Sequence, residues 1–375
     1  MERVIVYPFD NEFLPVLRHR EFLKNHEIVG LVAPSGWGFA GKDAGSADGG
    51  NTVGFEVGTD YESCLDICDT VLISDYRKTL DFKTIVFQKI LKAIDSNRNI
   101  ICTLSLDTEY KNKISDLCKK KGLYFKYYHS EVTAKLSAPI EHEKIYEINA
   151  PVLCISGISE NTSKFEVQLM LRKLFLKENY KVSQIGSRSM CELLGFHSFP
   201  SFMYDTAISE SNKVVLLNQY IRKIEGDENP DIIILGIPGG ILPFNNSLTN
   251  KFGILAYMVS QAVIPDAVVM CTLHEDYMPK YFDEISLSMK YKLGFDIDGY
   301  ILSNTKFDWD SFLEQPENAK QAEFYSIISS QVDKKIETLK GYNIPVFNIL
   351  NERDSVNLYN RLVSNLTEYG TVESL

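Results

Sequence analysis

The chain has 375 residues, 45% of them hydrophobic and 24% charged, the balance of a globular protein with room for two or three domains. Its 39 Lys and Arg against 50 Asp and Glu leave a net charge of -11, which argues against a nucleic-acid partner gripped through its phosphates. A membrane span is not expected, because no run of about 18 apolar residues occurs. The opening MERVIVYPFD is charged at once, unlike a secretion signal.

In chain order, RVIVYPF reads as a strand, 13–24 as a helix and EIVGLVAP as a second strand. A Gly/Ser/Asp-rich stretch over 36–58 follows. It comes after the second strand, whereas a dinucleotide fingerprint follows the first, so it reads as a mobile lid or an interdomain surface and not as a cofactor cradle. Then come a helix over 61–67, the strand TVLISD, a helix over 82–95, the strand NIICTLSL, a helix over 111–121 and the strand YFKYYH. This alternation predicts a Rossmann-like parallel sheet over residues 1–148. Lys119, Lys120 and Lys121 form the one obvious basic run and read as a solvated helix end.

The stretch SAPIEHEKIYEINAPV reads as the join to a second α/β domain over 149–375. Here the strand PVLCISG is followed by helix 165–178, strand YKVSQIG, helix 213–224 and strand DIIILGIP. After these come helix 253–262, strand AVVMCTL, helix 282–293, strand GYILSN, helix 324–339, strand IPVFNIL and helix 356–366. The seven cysteines are scattered through these patterns, which suits reduced thiols in the cytoplasm. Cys64 and Cys68 lie four apart with no further ligand nearby and read as small core residues.

The chemistry concentrates in GISENTSKFE. Gly157 closes a buried strand, Lys164 lies seven residues on, and a helix with Val167, Met170, Leu171 and Leu174 on one face follows. A phosphate-binding P-loop has this layout: backbone N–H groups and a helix N-terminus converge on the anion, and a lysine neutralises it. Ser159, Thr162 and Ser163 add hydroxyl donors. Two diagnostic residues differ, because the glycine before the lysine is Ser163 and the hydroxyl residue after it is Phe165.

The spacing and the later segment DIIILGIPGGILPFNN, with Gly239, Gly240 and Pro243, resemble the dethiobiotin synthetase-like P-loop proteins. The resemblance implies a P-loop NTPase-like second domain that binds ATP or another nucleotide, with Asn304 in the place of the base-reading residue. It leaves Mg²⁺ in question, because the two usual ligand positions hold Phe165 and Gly236. No metal-ligand set is expected, since the six histidines form no HExxH.

The two-domain order resembles a bacterial family associated in part with N-acetylation of D-glutamate. It also resembles, with a closer likeness in its Ile/Lys/Asn/Tyr-rich style and its degenerate turn, the clostridial peptide maturation system proteins of ribosomal peptide natural product clusters. The second resemblance implies an accessory protein that binds a nucleotide or anionic ligand without ordinary hydrolysis. Its expected partners are a precursor peptide, a peptide-modifying enzyme or a second copy of the chain. Two alternatives stay open. One is an ATP-dependent ligase or acyltransferase using Arg188, Asp205 and His274, and the other is a ligand-free scaffold. His197, in GFHSFPSF, reads as packed.

Overall fold

The computed structural model describes residues 1–128, 144–243, 249–314, 324–339 and 345–369. They fall into two units. The first is Met1–His129 with Ser189–Gly195, and the second is Ser130–Arg188 with Phe196–Leu375. The first part of the expected join between the domains, 137–143, lies outside the described residues.

The first unit runs β1 (Glu2–Tyr7), α1 (Leu14–Arg18), β2 (His26–Val32), β3 (Val57–Gly58), α2 (Tyr61–Asp66), β4 (Thr70–Ile73), α3 (Phe87–Asp95), β5 (Asn99–Cys102), α4 (Thr108–Lys120) and β6 (Phe125–Tyr127). Its sheet is parallel in the order β3-β2-β1-β4-β5-β6, the order of the dinucleotide-binding fold. Val4, Ile5 and Val6 are fully buried, as a strand covered on both faces requires.

Two local expectations are corrected here. The helix over 13–24 stops at Arg18, because His19 takes non-helical angles (φ -117°, ψ 37°). A short 3₁₀ turn, Arg20–Phe22, then turns both Phe22 and Leu23 into the core. The 36–58 stretch is a tied structure and not a free lid. Asp43 accepts N–H bonds from Gly45, Val53 and Gly54, and Arg18 grips Asp48 with two nitrogens at 2.6 and 2.9 Å. Cys64 and Cys68 do not share a helix face, since α2 ends at Asp66. Cys68 is buried and Cys64 half-buried in the core behind β1 and β4.

The second unit runs β7 (Val152–Gly157), α5 (Lys164–Lys177), β8 (Val182–Gly186), β9 (His197–Ser198), α6 (Glu210–Glu228), β10 (Ile232–Gly236), α7 (Ile254–Ala262), β11 (Ala267–Thr272) and α8 (Pro279–Leu293). It continues with β12 (Gly299–Leu302), β13 (Thr305–Phe307), α9 (Trp309–Glu314), β14 (Phe324–Ser326), α10 (Ser329–Thr338), β15 (Val346–Phe347) and α11 (Glu352–Tyr369). A parallel sheet in the order β15-β12-β11-β7-β10-β8-β9 forms its centre. Side chains alternate across β7: Val152 and Cys154 enter one apolar layer, Leu153 and Ile155 the other.

The helix expected over 324–339 begins only at Ser329. Phe324–Ser326 instead pairs antiparallel with β13, where the Phe324 and Phe307 rings meet at 5.2 Å. Helix α6 is longer than its apolar pattern. Ser209 caps its start through the Asn212 N–H, and Asn229 ends it in the left-handed conformation. Asn149 and Ala150 N–H bond to Glu225 on this helix, fixing the chain on its way into β7.

Candidate phosphate-binding site

Because β7 lies inside its sheet between β10 and β11, the turn after it opens at the carboxyl ends of three strands. Gly157 is needed there for space: a Cβ would fall 2.3 Å from Thr162 Oγ1 and 2.9 Å from Lys164 Cδ. Ser163, at the cap of α5, holds φ 58° and ψ 18°, the left-handed conformation that glycine adopts freely. Serine there costs about 1–2 kcal/mol. Its hydroxyl lies 2.8 Å from Ser303 Oγ and 3.2 Å from Asn304 Oδ1, which offsets part of that strain. The turn thus takes a glycine-like backbone conformation with serine at this position.

Lys164 folds back over the turn. Its Nζ donates to Ser159 O at 3.0 Å and to Gly239 O. The side chain is only 8% exposed, and its described hydrogen bonds go to backbone carbonyls. Burial lowers its pKa from 10.5 to about 8; the positive Arg188 adds to the shift, while Cys271 and Glu160 oppose it. The described hydrogen-bond acceptors of this buried cation are backbone carbonyls, and burying a charge without a close counter-charge is costly.

The other expected binding residues are placed as follows. Ser159 Oγ donates to Glu160 O and Thr162 Oγ1 to Ser159 O, so both hydroxyls brace the loop. Gly239 (φ 77°) presents its carbonyl to Lys164. Gly240 packs so closely that a Cβ would fall 2.7 Å from Ile158 O. Asn250 Nδ2 ties the two turns together through Ile158 O and Leu242 O. Asn250, Lys251, Phe252 and Gly253 all have positive φ (46°, 52°, 58°, 68°), a run of left-handed residues that needs support from its surroundings. Asn304, at the end of β12, reaches the turn through Ser163.

The two metal positions are occupied by other chemistry. Phe165 is buried at the start of α5, and the Arg188 guanidinium lies 4.8 Å from the centre of its ring. At Gly236 a Cβ would fall within 2.2 to 2.5 Å of the Gln168 amide. That amide is fully buried and bonded to Lys164 O, Ser187 Oγ and Ser187 N. Mg²⁺ needs hard oxygen ligands, and neither position offers one, so these residues do not fit the ion. Among the described residues, no group of three or more His, Cys, Asp or Glu gathers to hold a metal.

Asp205 accepts the Ala207 N–H and shapes its own turn. His274 donates its backbone N–H to Thr305 O, its Nε2 is buried without a partner, and burial lowers its pKa. No hydrogen bond or ion pair joins Asp205 to His274. His197 sits on β9 with Nε2 2.5 Å from Glu228 Oε1.

Two residues carry more weight than the sequence reading gave them. Gln168 is one; its signal was a polar residue four after Lys164 on an otherwise apolar face. Asp10 is the other. It follows β1 where the sheet order of the first unit reverses, the ligand position of this fold. Only 2% exposed, its carboxylate accepts the N–H groups of Glu12 and Arg77. Burial, helped by the Glu12 charge, raises its pKa to about 6 against those bonds.

No protein-family model matches this chain, and no curated protein matches it. The chain is similar to a solved DUF1611 family protein from Anabaena variabilis, at 12% identity, with 97% of this chain and 100% of that one covered and a TM-score of 0.65. At that identity the likeness shows the fold, an α/β chain with Rossmann-like and P-loop NTPase-like units. It also matches a putative plasmid partition protein from Borrelia burgdorferi bound to AMPPNP. There the identity is 13%, 59% of this chain and 99% of that one are covered, and the TM-score is 0.35. A homoserine dehydrogenase from S. aureus aligns at 12% identity over 61% of this chain and 51% of that one, with a TM-score of 0.27. No helix among the described residues is long and apolar enough to cross a membrane.

Proposed function

We propose that the second unit binds the phosphate groups of a nucleotide, or a comparable anion, and that the protein acts as an accessory factor in peptide maturation. The observation that carries the binding reading is Lys164, a buried ammonium at a helix N-terminus whose described hydrogen bonds go to backbone carbonyls. Phe165 and Gly236 stand where metal-assisted hydrolysis needs oxygen ligands, which favours holding the ligand over ordinary turnover. The peptide-maturation setting rests on the sequence resemblance, with a precursor peptide or a peptide-modifying enzyme as the partner.

Calorimetric titration with ATP, ADP and GTP tests the binding reading. Micromolar binding lost in Lys164→Ala supports it, and binding unchanged in that variant sinks the site. Fluorescence anisotropy against a labelled precursor peptide from the same gene cluster tests the setting, which falls if no peptide binds with or without nucleotide.

A further inference from the structure

Three loops meet at the carboxyl edge of the first unit's sheet, where the strand order reverses between β1 and β4. Trp37 and Phe39 follow β2, Phe9 and Asp10 follow β1, and Tyr76 and Lys78 follow β4. The Trp37 and Tyr76 ring centres lie 6.1 Å apart, and those of Phe9 and Phe39 lie 5.8 Å apart. Trp37, Phe39 and Tyr76 are half-buried, so each ring keeps part of its surface open to solvent. Ligands of open α/β sheets bind at this edge. The local chemistry disfavours a pyrophosphate. A dinucleotide turn offers glycines and open backbone N–H groups after its first strand. Here the strand is followed by Asp10-Asn11-Glu12 with no glycine, and the Asp10 carboxylate already takes the N–H groups of Glu12 at 2.8 Å and Arg77 at 2.6 Å. The Arg77 bond also fixes the 76–78 segment against the end of β1. What the rings hold instead is an ammonium. Lys78 Nζ lies 5.3 Å from the centre of the Phe39 ring and 6.0 Å from that of Trp37, and it donates to Trp37 O at 2.8 Å. Lys78 is itself exposed, and a cation–π contact at an exposed position is weak enough to be exchanged.

We propose that Trp37 and Phe39, with the Trp37 carbonyl, form a binding site for the primary ammonium group of an amine, and that Lys78 is its built-in occupant, displaced when the ligand arrives. The site lies in the first unit and does not depend on the phosphate reading of the second. The ring faces attract the charge, and the carbonyl takes one N–H. A quaternary ammonium satisfies the rings but has no N–H for the carbonyl, so the site prefers a primary one. The net charge of -11 draws cations towards the protein. Two sources carry this group, a free amine and the lysine side chain of a peptide.

The chain has two tryptophans, Trp37 and Trp309, so Trp309→Phe leaves Trp37 as the only indole reporter. In that full-length background, Trp37 emission is followed on titration with butylammonium, butyltrimethylammonium, butyrate and a blocked tripeptide with a central lysine, all at constant ionic strength. Lys78→Ala removes the built-in occupant and should tighten butylammonium binding roughly two- to fivefold, the strength of an exposed cation–π contact. Phe39→Leu removes one ring and should weaken binding in the Lys78→Ala background by a similar factor. Butylammonium should bind more tightly than its quaternary analogue, and butyrate should not bind. Circular dichroism melting confirms that each variant folds. Peptide and free amine binding equally supports recognition of the ammonium alone, and a tighter peptide supports a polypeptide source for it. Quaternary and primary amines binding alike overturn the role of the carbonyl, and affinity unchanged in Lys78→Ala overturns the displacement. Butyrate binding as tightly as the amine, affinity unchanged in Phe39→Leu, or no amine binding even in Lys78→Ala overturns the site.

Discussion

A rise in pH acts on Lys164 directly. Burial holds its ammonium at about 8 in the folded, unliganded protein, against 10.5 for an ordinary lysine. The unfolded chain therefore keeps this proton more tightly than the folded one, and stability rises with pH between the two values. The burial penalty is fully present below about pH 8 and is relieved as pH climbs towards 10.5. Between about pH 7 and about pH 10 the relief comes to about 2.5 kcal/mol. Lys164→Met keeps a similar side-chain length and removes the titrating group. Urea unfolding of wild type and variant across this range gives a stability difference in which the other tyrosines and lysines cancel. Of the groups that act on Lys164, Arg188 and Glu160 contribute fixed charge, and the Cys271 thiol is itself pushed by burial to about 12, so it stays protonated. The difference should rise by about 2.5 kcal/mol in favour of the wild type. Added tripolyphosphate should flatten it, because a bound anion keeps the ammonium charged. A difference flat with pH in the absence of ligand would refute the buried cation.

Three further outcomes follow from named contacts. Gly236→Ala must displace the Gln168 amide and should cost about 2–3 kcal/mol in chemical denaturation, from broken buried hydrogen bonds. On a Gln168→Ala background the same change should cost less, and an equal cost would show that the two side chains do not compete for one space. At the cap of α5, Ser163→Gly should be more stable than Ser163→Ala by about 1–2 kcal/mol, since both lose the hydroxyl but only glycine relaxes at φ 58°. The reverse order in thermal melts would mean the turn is not left-handed there. In the first unit, the Asp10 carboxyl should titrate by NMR with a midpoint near 6. Its raised folded value makes its contribution to stability fully present below about pH 4 and lost as pH rises through 6; a midpoint near 4 would disprove its burial.

The alternation of apolar runs with amphipathic stretches determined the two α/β units, because buried parallel strands and their covering helices carry different periodicities. The strand–turn–lysine–helix order likewise placed a turn at Gly157–Lys164 between β7 and α5, since the chain direction and the residue pattern coincide over a short span. Where local sequence was ambiguous, tertiary packing decided. Phe324–Ser326 carries aromatic residues compatible with either structure, and pairing with β13 made it a strand. The 36–58 stretch looked free because glycines and small polar residues hide their partners, yet Asp43 and Arg18 tie it down. The sequence placed Phe165 and Gly236 where the resembled proteins carry metal ligands, but did not show what packs against them. Arg188 meets Phe165, and Gln168 meets Gly236, across contacts between residues that are far apart in the chain. Only the folded packing around β7, β8 and β10 brings those groups together.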